Sequence, residues 1–317
     1  METIALHDLP HVEARRLAAS GQIVYLTVNP VEYHGPHLSL HNDYLVSLGL
    51  CRALHERIGG GQPMIVASDV EMGVEPTPGL GTRKTSFAIM KDQVVRAARG
   101  LAELGATRVV IMTFHGAPLH NLAIEAACQA LRARGARALA PFHIVLRAML
   151  ELDDPREFEA ALTPVADVAE RDAVRAGLQH DFHAGFFETS MALHFAPQSV
   201  APSYKQLPPC PPVEPVAKIM SASRWARRLG RDLLARELEY AAYGFAWGRL
   251  QPFPGYTSRP AAASAASGAV FAGRIVERYE ETARAVLDRG ERAPEPIMQW
   301  ADAVSNRLGG ISRQILS

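Results

Sequence analysis

Glu32-Tyr33-His34-Gly35-Pro36-His37, followed shortly by Asp43, places two carboxylates and two imidazoles in one short stretch. Carboxylates offer hard oxygens and imidazole a borderline nitrogen, a mixture suited to Zn²⁺, Mn²⁺ or Fe²⁺. A second group is His115-Gly116. A third is Asp181-Phe182-His183-Ala184-Gly185-Phe186-Phe187-Glu188-Thr189-Ser190. Each residue also has an ordinary reading. Asp43 opens a helical pattern, where Asp is a favoured cap. Glu32 and His34 could be surface groups, and His115-Gly116 a plain turn. Glu188 would carry charge near a helix N-terminus. It is the recurrence of ligand-type residues at equivalent places that favours a metal.

Those places are set by the surrounding elements. Gln22 to Val28 is β-branched and aromatic enough for a buried strand, and Arg108 to Thr113 reads the same way. Glu32/His34 follow the first and His115 follows the second. In a parallel sheet both loops leave the same rim, where open α/β sheets hold ligands. Two ions could sit there. Glu32 and His34 would each ligate a different one, Asp43 would bridge, and His115 would complete the first. Such a pair polarises a carbonyl and activates a water. His183, with an ordinary pKa near 6.5, could move protons. His37 is placed beside the ligands. His41 and His120 are structural or substrate-facing neighbours, and Arg83-Lys84 belongs to a solvated loop.

Along the chain, helical spacing covers Asp43 to Ile58, and Gly59-Gly60-Gly61 ends it. Pro63 to Ala67 reads as a strand, and Gly73 to Gly81 as a Gly/Pro loop. Val94, Ala98, Leu101 and Leu104 mark a helix, as does Leu122 to Leu131. Beyond Phe142-His143-Ile144-Val145-Leu146 the pattern turns helical from about Pro155 to Leu178. Pro197 to Pro215 is a proline-rich loop. Tyr243-Gly244-Phe245-Ala246-Trp247-Gly248 is a Gly/aromatic patch, and an Ala-rich helix runs over about Ala261 to Leu287. Strand–helix alternation with short turns predicts an α/β fold with a mostly parallel sheet covered on both faces. Nothing divides the chain, so one domain over residues 1–317 is expected.

The 317 residues are 48% hydrophobic and 21% charged, enough to bury a sizeable core. Lys+Arg and Asp+Glu balance at 33 each, which gives nucleic acid or an anionic membrane no bulk attraction. No apolar run reaches the ~18–20 residues that span a bilayer, and Met1 to Asp8 lacks the pattern of a signal peptide. Cys51, Cys128 and Cys210 are few and odd in number. They suggest neither a disulfide framework nor a cysteine zinc site, and a reducing cytoplasm is expected.

Together these segments resemble the creatininase family of metal-dependent amidohydrolases. Glu32-x-His34-Gly35-Pro36-His37-Leu38 with Asp43 is similar to its Glu-x-His-Gly-x-His-Leu…Asp signature. His115-Gly116 resembles its Asn-Gly-His segment, and His183 to Ser190 its His-(Ala/Gly)-Gly-x-x-Glu-Thr-Ser segment. Pro260 to Gly268 is similar to a Pro-x-x-Ala-Ser-x-x-x-Gly stretch. The matches run in order over about residues 20 to 290. The resemblance implies a three-layer α/β/α sandwich, often a homohexamer. It implies ions held by Glu32, His34, bridging Asp43 and His115, with His183 as proton shuttle, acting on cyclic amides, formamides or peptide bonds.

The chain also departs from the family. Ala117 stands where creatininase proper has a metal-binding Glu, which removes a ligand from the second ion, and Glu188 is the candidate to compensate. Phe182 replaces a Glu before the shuttle histidine. The tryptophan upstream is absent from Leu178-Gln179-His180-Asp181. Thr113 to Asn121 and Pro78 to Thr82 differ from the family's pocket loops. Ala117, Asp181 and Phe182 are thus expected around the ligands or the substrate. These departures point away from creatinine and towards another small cyclic amide, lactam or formamide. The alternatives are a peptidase of a modified peptide, a hydrolase opening a ring at a C–C or ester bond, and a scaffold with weakened catalysis.

Overall fold

The computed structural model describes residues 2–303; Met1 and residues 304–317 of the expected single domain lie outside the described residues. Five strands form one sheet: β1 (Thr3–Ala5), β2 (Ile23–Asn29), β3 (Met64–Glu71), β4 (Arg108–Met112) and β5 (Arg137–Leu139). Their order is β1-β3-β2-β4-β5, and every pairing is parallel. The helices are α1 (His11–Ala18), α2 (Asn42–Ile58), α3 (Phe87–Glu103), α4 (Pro118–Arg132), α5 (Phe142–Leu150), α6 (Glu159–Leu162), α7 (Val168–Gly177), α8 (Phe186–Phe195), α9 (Ala217–Arg228), α10 (Asp232–Trp247) and α11 (Ala265–Ala283).

The layers follow from the two-residue repeat of β2, which is buried throughout. Ile23 and Tyr25 enter the core shared with Val46, Leu50 and Leu54 of α2 and with Phe271 and Ile275 of α11. Val24, Leu26 and Val28 point the other way, onto Val94, Ala98 and Leu101 of α3 and Ile124 of α4. A strand with both faces covered loses the polar alternation of a half-exposed one, so its sequence is a continuous apolar run. The result is the expected three-layer α/β/α sandwich.

The central strand creates the crevice. The chain leaves β2 for α2 on one face of the sheet and leaves β4 for α4 on the other. β2 and β4 are neighbours, with Ile23 paired to Arg108 and Thr27 to Met112. Loops that part in opposite directions from adjacent strand ends open a gap, the switch point where α/β sheets bind ligands.

Several elements depart from expectation. Phe142 to Leu146 is the start of α5, and the strand before it is the short β5. The helix expected over about 155–178 is broken into a 3₁₀ turn, the single-turn α6, and α7. Pro164 offers no N–H, and α7 restarts where Asp167 accepts from the Glu170 amide at 2.7 Å. The Ala-rich helix begins at Ala265, not near Ala261, because Ser264 caps it by accepting from Ser267 N–H at 3.0 Å. β3 is longer than expected and ends at Glu71, and α4 begins earlier, at Pro118. No helix among the described residues is long and apolar enough to cross a membrane.

Gly268 lets α11 lie against α8. A Cβ there would stand 1.9 Å from the Ser190 carbonyl oxygen, while one at Gly273 on the same helix would meet nothing within 4 Å. Gly268→Ala is therefore expected to cost about 3 kcal/mol from forced separation. Gly273→Ala should gain about 1 kcal/mol from helix propensity. Urea unfolding of both variants checks the pair, and equal effects would refute the close-packing account.

Candidate metal centre

Six side chains converge on the crevice. Glu32 and His34 come from the loop after β2, Asp43 from the first turn of α2, and His115 from just beyond β4. His183 and Glu188 come from the loop into α8 and its first turn. All six are buried. They form two groups, Glu32–Asp43–His115 and His34–His183–Glu188, each with ligand-type atoms within 4.8 Å of one another. Asp43 faces both. Its Oδ1 lies 3.0 Å from His34 Nε2 and its Oδ2 3.5 Å from His115 Nδ1. His115 Nδ1 is 2.8 Å from Glu32 Oε2, and His34 Nε2 is 3.8 Å from Glu188 Oε2.

Each histidine is held by a carbonyl behind it. His34 Nδ1 lies 3.1 Å from the Glu32 carbonyl oxygen, His115 Nε2 3.0 Å from that of Val74, and His183 Nε2 3.0 Å from that of Tyr33. A carbonyl only accepts, so in each ring that nitrogen carries the proton and the opposite one is turned inward. This is how metal-ligating histidines are oriented. The carboxylates match the pattern. Glu32 Oε2 and both Asp43 oxygens are buried without a hydrogen-bond partner, a costly condition unless a cation meets them. The donor set of oxygens and imidazole nitrogens fits a divalent transition metal.

Charge balance follows. Burial alone would raise Glu32, but the charge and contact of His115, then His34 and His183, hold it down at about 2. Asp43 is likewise held below the ordinary carboxylate range, burial being outweighed chiefly by His34. Burial opposes a proton on His34, but Asp43, Glu32 and Glu188 raise it to about 10. His115 is raised by Glu32 and Asp43 against its burial. Burial and then His34, whose ring it stacks on at 4.4 Å, bring His183 down to about 4. Glu188, farther from a cation, is raised by burial to about 8.

The remaining sequence candidates fall around this centre. Asp43 makes no cap: the residue before α2 is His41, which gives no side-chain cap bond, and both Asp43 oxygens turn inward. His37 is one layer out, its Nε2 2.9 Å from Thr189 Oγ1. His120 lies behind His115, with Nε2 near the Val28 carbonyl and Thr113 Oγ1. His41 and Arg83 both pair with Glu71 outside the centre. Ala117 precedes α4 and presents only a methyl, its carbonyl accepting from Asn121. Phe182 packs on Tyr240 and Trp247.

Supporting residues that the motifs did not disclose are Asn29, Asn121 and Thr257. Asn29 Oδ1 accepts from Ser47 and from the Phe114 amide, tying the ends of β2 and β4 to α2. Asn121 donates to the His115 carbonyl at 2.8 Å. Thr257 accepts from the His183 amide at 3.2 Å and faces Asp181. A polar residue ending a buried apolar strand was a signal for Asn29; for Thr257, 74 residues from His183, there was none.

The model of the creatinine amidohydrolase (creatininase) family matches residues 7–283. The chain belongs to the creatininase family. It is 27% identical over 258 residues to the creatinine amidohydrolase of Pseudomonas putida, covering 75% of this chain and 93% of that one. It is also similar in fold to a manganese creatininase (TM-score 0.55, 20% identity, 89% of this chain and 98% of that chain). A mutant creatininase of Zn–Zn type gives TM-score 0.56 at 21% identity, over 90% of this chain and 98% of that chain. At these identities the chain is a divergent family member.

Asp181 anchors the third family segment. Its Oδ2 accepts from Phe187 N–H at 2.8 Å, and Gly185 makes room, since a Cβ there would lie 1.8 Å from Asp181 Oδ1. Burial raises its carboxyl from 3.8 to about 7. A carboxyl raised on folding adds stability that is complete below its unfolded pKa and is lost as pH rises through about 7. Asp181→Asn should flatten this. Between pH 4 and pH 8 the wild type should lose about 2–4 kcal/mol relative to the variant. Denaturant titrations at several pH values test this, and parallel curves would contradict it.

Proposed function

We propose that this chain is a divalent-metal amidohydrolase that cleaves the C–N bond of a small cyclic amide, lactam or formamide other than creatinine. The observation that carries the reading is the set of buried, unpartnered carboxylate oxygens facing pre-oriented imidazole nitrogens. Glu32, Asp43 and His115 would hold one ion. His34, Asp43 and Glu188 would hold the other, with Glu188 supplying the ligand that Ala117 lacks. Bound there, two divalent ions would polarise the carbonyl and lower the pKa of a water. The manganese and zinc creatininases support those two metals, and the same donors accept iron.

The protein's own groups divide the remaining work. His183 turns Nδ1 inward, 3.9 Å from Glu32 Oε1. Held neutral by burial, it is free to take up a proton and deliver it to the leaving nitrogen. The depth of the centre favours a small substrate over a peptide: Glu32, His34 and Asp43 are at most 1% exposed, and His183 is 6% exposed. Three unpaired cysteines support a reducing cytoplasm. Trp225 of α9 and Leu229 just past its end, both exposed, support a homo-oligomer.

Asp43→Asn separates these roles from His183→Gln. With one bridging carboxylate gone, elemental analysis should find metal falling from about two ions per chain to near none. His183→Gln should keep its metal and lose roughly 10²–10⁴-fold in amide turnover. Full metal content in Asp43→Asn would refute the bridge. A wild-type chain that takes up no zinc, manganese or iron would refute the hydrolase.

A further inference from the structure

α10 turns an aromatic face towards the third ligand segment. Tyr240, Tyr243 and Trp247 recur at positions that share one side of a helix. Tyr243 packs against His180 with the rings tilted and their centroids 3.7 Å apart. Trp247 lies 5.3 Å from His183 and 5.5 Å from Phe182, and it donates from Nε1 to the Tyr256 carbonyl at 3.0 Å. The ring of Tyr240 meets Phe182 edge-on at 5.4 Å. These contacts fix α10 against the loop that carries His183.

The Tyr240 hydroxyl is different from its neighbours. It reaches over the turn after β4, 3.8 Å from where a Cβ on Gly116, the residue after His115, would stand. The ring is half-buried, and the hydroxyl makes no hydrogen bond within the protein among the described residues. Burial, with the carboxylates of Glu188 and Glu75, pushes the phenol above its ordinary range. It therefore stays protonated, a donor and not a base. Glu75 is itself fixed nearby: its carboxylate accepts from the Leu119 amide, and its backbone holds the left-handed φ of 58°. A free donor clamped by aromatic packing against the turn at Gly116, and within electrostatic reach of Glu188, is the geometry of a group that stabilises charge growing on oxygen.

We infer that Tyr240 donates its hydroxyl hydrogen bond to the carbonyl oxygen of the scissile amide. This inference rests on the hydrolase reading above. It assigns to α10, outside all the family-like motifs, a contact with the reacting atoms.

The test uses the full-length, zinc-loaded enzyme with acetohydroxamate as probe, an amide-like anion whose oxygens seek both metal and donor. Tyr240→Phe removes only the hydroxyl and keeps the contact with Phe182. Zinc content should be unchanged while acetohydroxamate Kd rises about tenfold, as for one lost bond to a charged oxygen. Tyr243→Phe on the same face should leave Kd unchanged. On any lactam or formamide that the wild type turns over, Tyr240→Phe should lower kcat about 10²-fold with little change in KM. Equal Kd values for wild type and Tyr240→Phe would overturn the role of Tyr240 and leave the hydrolase reading standing. Zinc and hydroxamate binding with a raised Kd in the variant, but no amide turnover by the wild type, would overturn the amide substrate and keep Tyr240 as the oxygen donor. A chain that binds neither zinc nor hydroxamate would overturn both.

Discussion

Asp43 is a buried carboxylate with each oxygen turned towards a different histidine and no hydrogen bond to either oxygen. Burying such a charge alone costs several kcal/mol. The fold meets it at two points with imidazole nitrogens, those of His34 and His115. Much of the surrounding arrangement serves that pairing. The carbonyls of Glu32, Val74 and Tyr33 hold the imidazoles so that their inward nitrogens face the carboxylates. The turn at Gly35, with φ of 65°, reverses the chain between His34 and His37, so that one faces the centre and the other packs outside it.

The sheet explains how residues distant in sequence reach the same two points. β2 and β4 are adjacent and parallel, so their ends leave one rim, and their helices depart to opposite faces. Asn29 then joins the two strand ends to α2 through Ser47 and Phe114. α8 approaches from the third direction, and its closeness to α11 depends on the missing side chain at Gly268. The site is assembled from rigid elements with buried polar ties, which suits a centre that must hold ligand atoms within a few tenths of an ångström.

Much of this was legible in the sequence because strong local rules agree. A continuous apolar run identifies a strand covered on both faces, and the candidate ligand residues sit shortly after two such runs, so Glu32, His34 and His115 could be placed from pattern alone. Asp43 was ambiguous, since a helix start suits both a cap and a ligand, and the three-dimensional direction of its oxygens excludes the cap. The break at Pro164 and the start of α11 at Ser264 were missed because helical spacing spoke louder than single capping residues. Thr257 and Tyr240 left no signal at all. Their meaning comes from which loop they face, and that depends on long-range packing.

The departures from the family pattern bear on the charge of the centre. Losing a glutamate at position 117 removes one negative charge, while Glu188 offers a carboxylate from a different element. If two divalent ions were held there as proposed, Glu32, Asp43 and Glu188 would carry less negative charge than the ions carry positive, leaving an excess that an electron-rich oxygen would satisfy. The phenol of Tyr240 faces the same region as a neutral donor, which adds stabilisation without adding charge. A neutral donor is compatible with this balance in a way that another carboxylate is not. The aromatic face of α10 thus packs apolar rings against the loop that carries His183, and in the proposed role its phenol would add a polar contact that does not compete for metal.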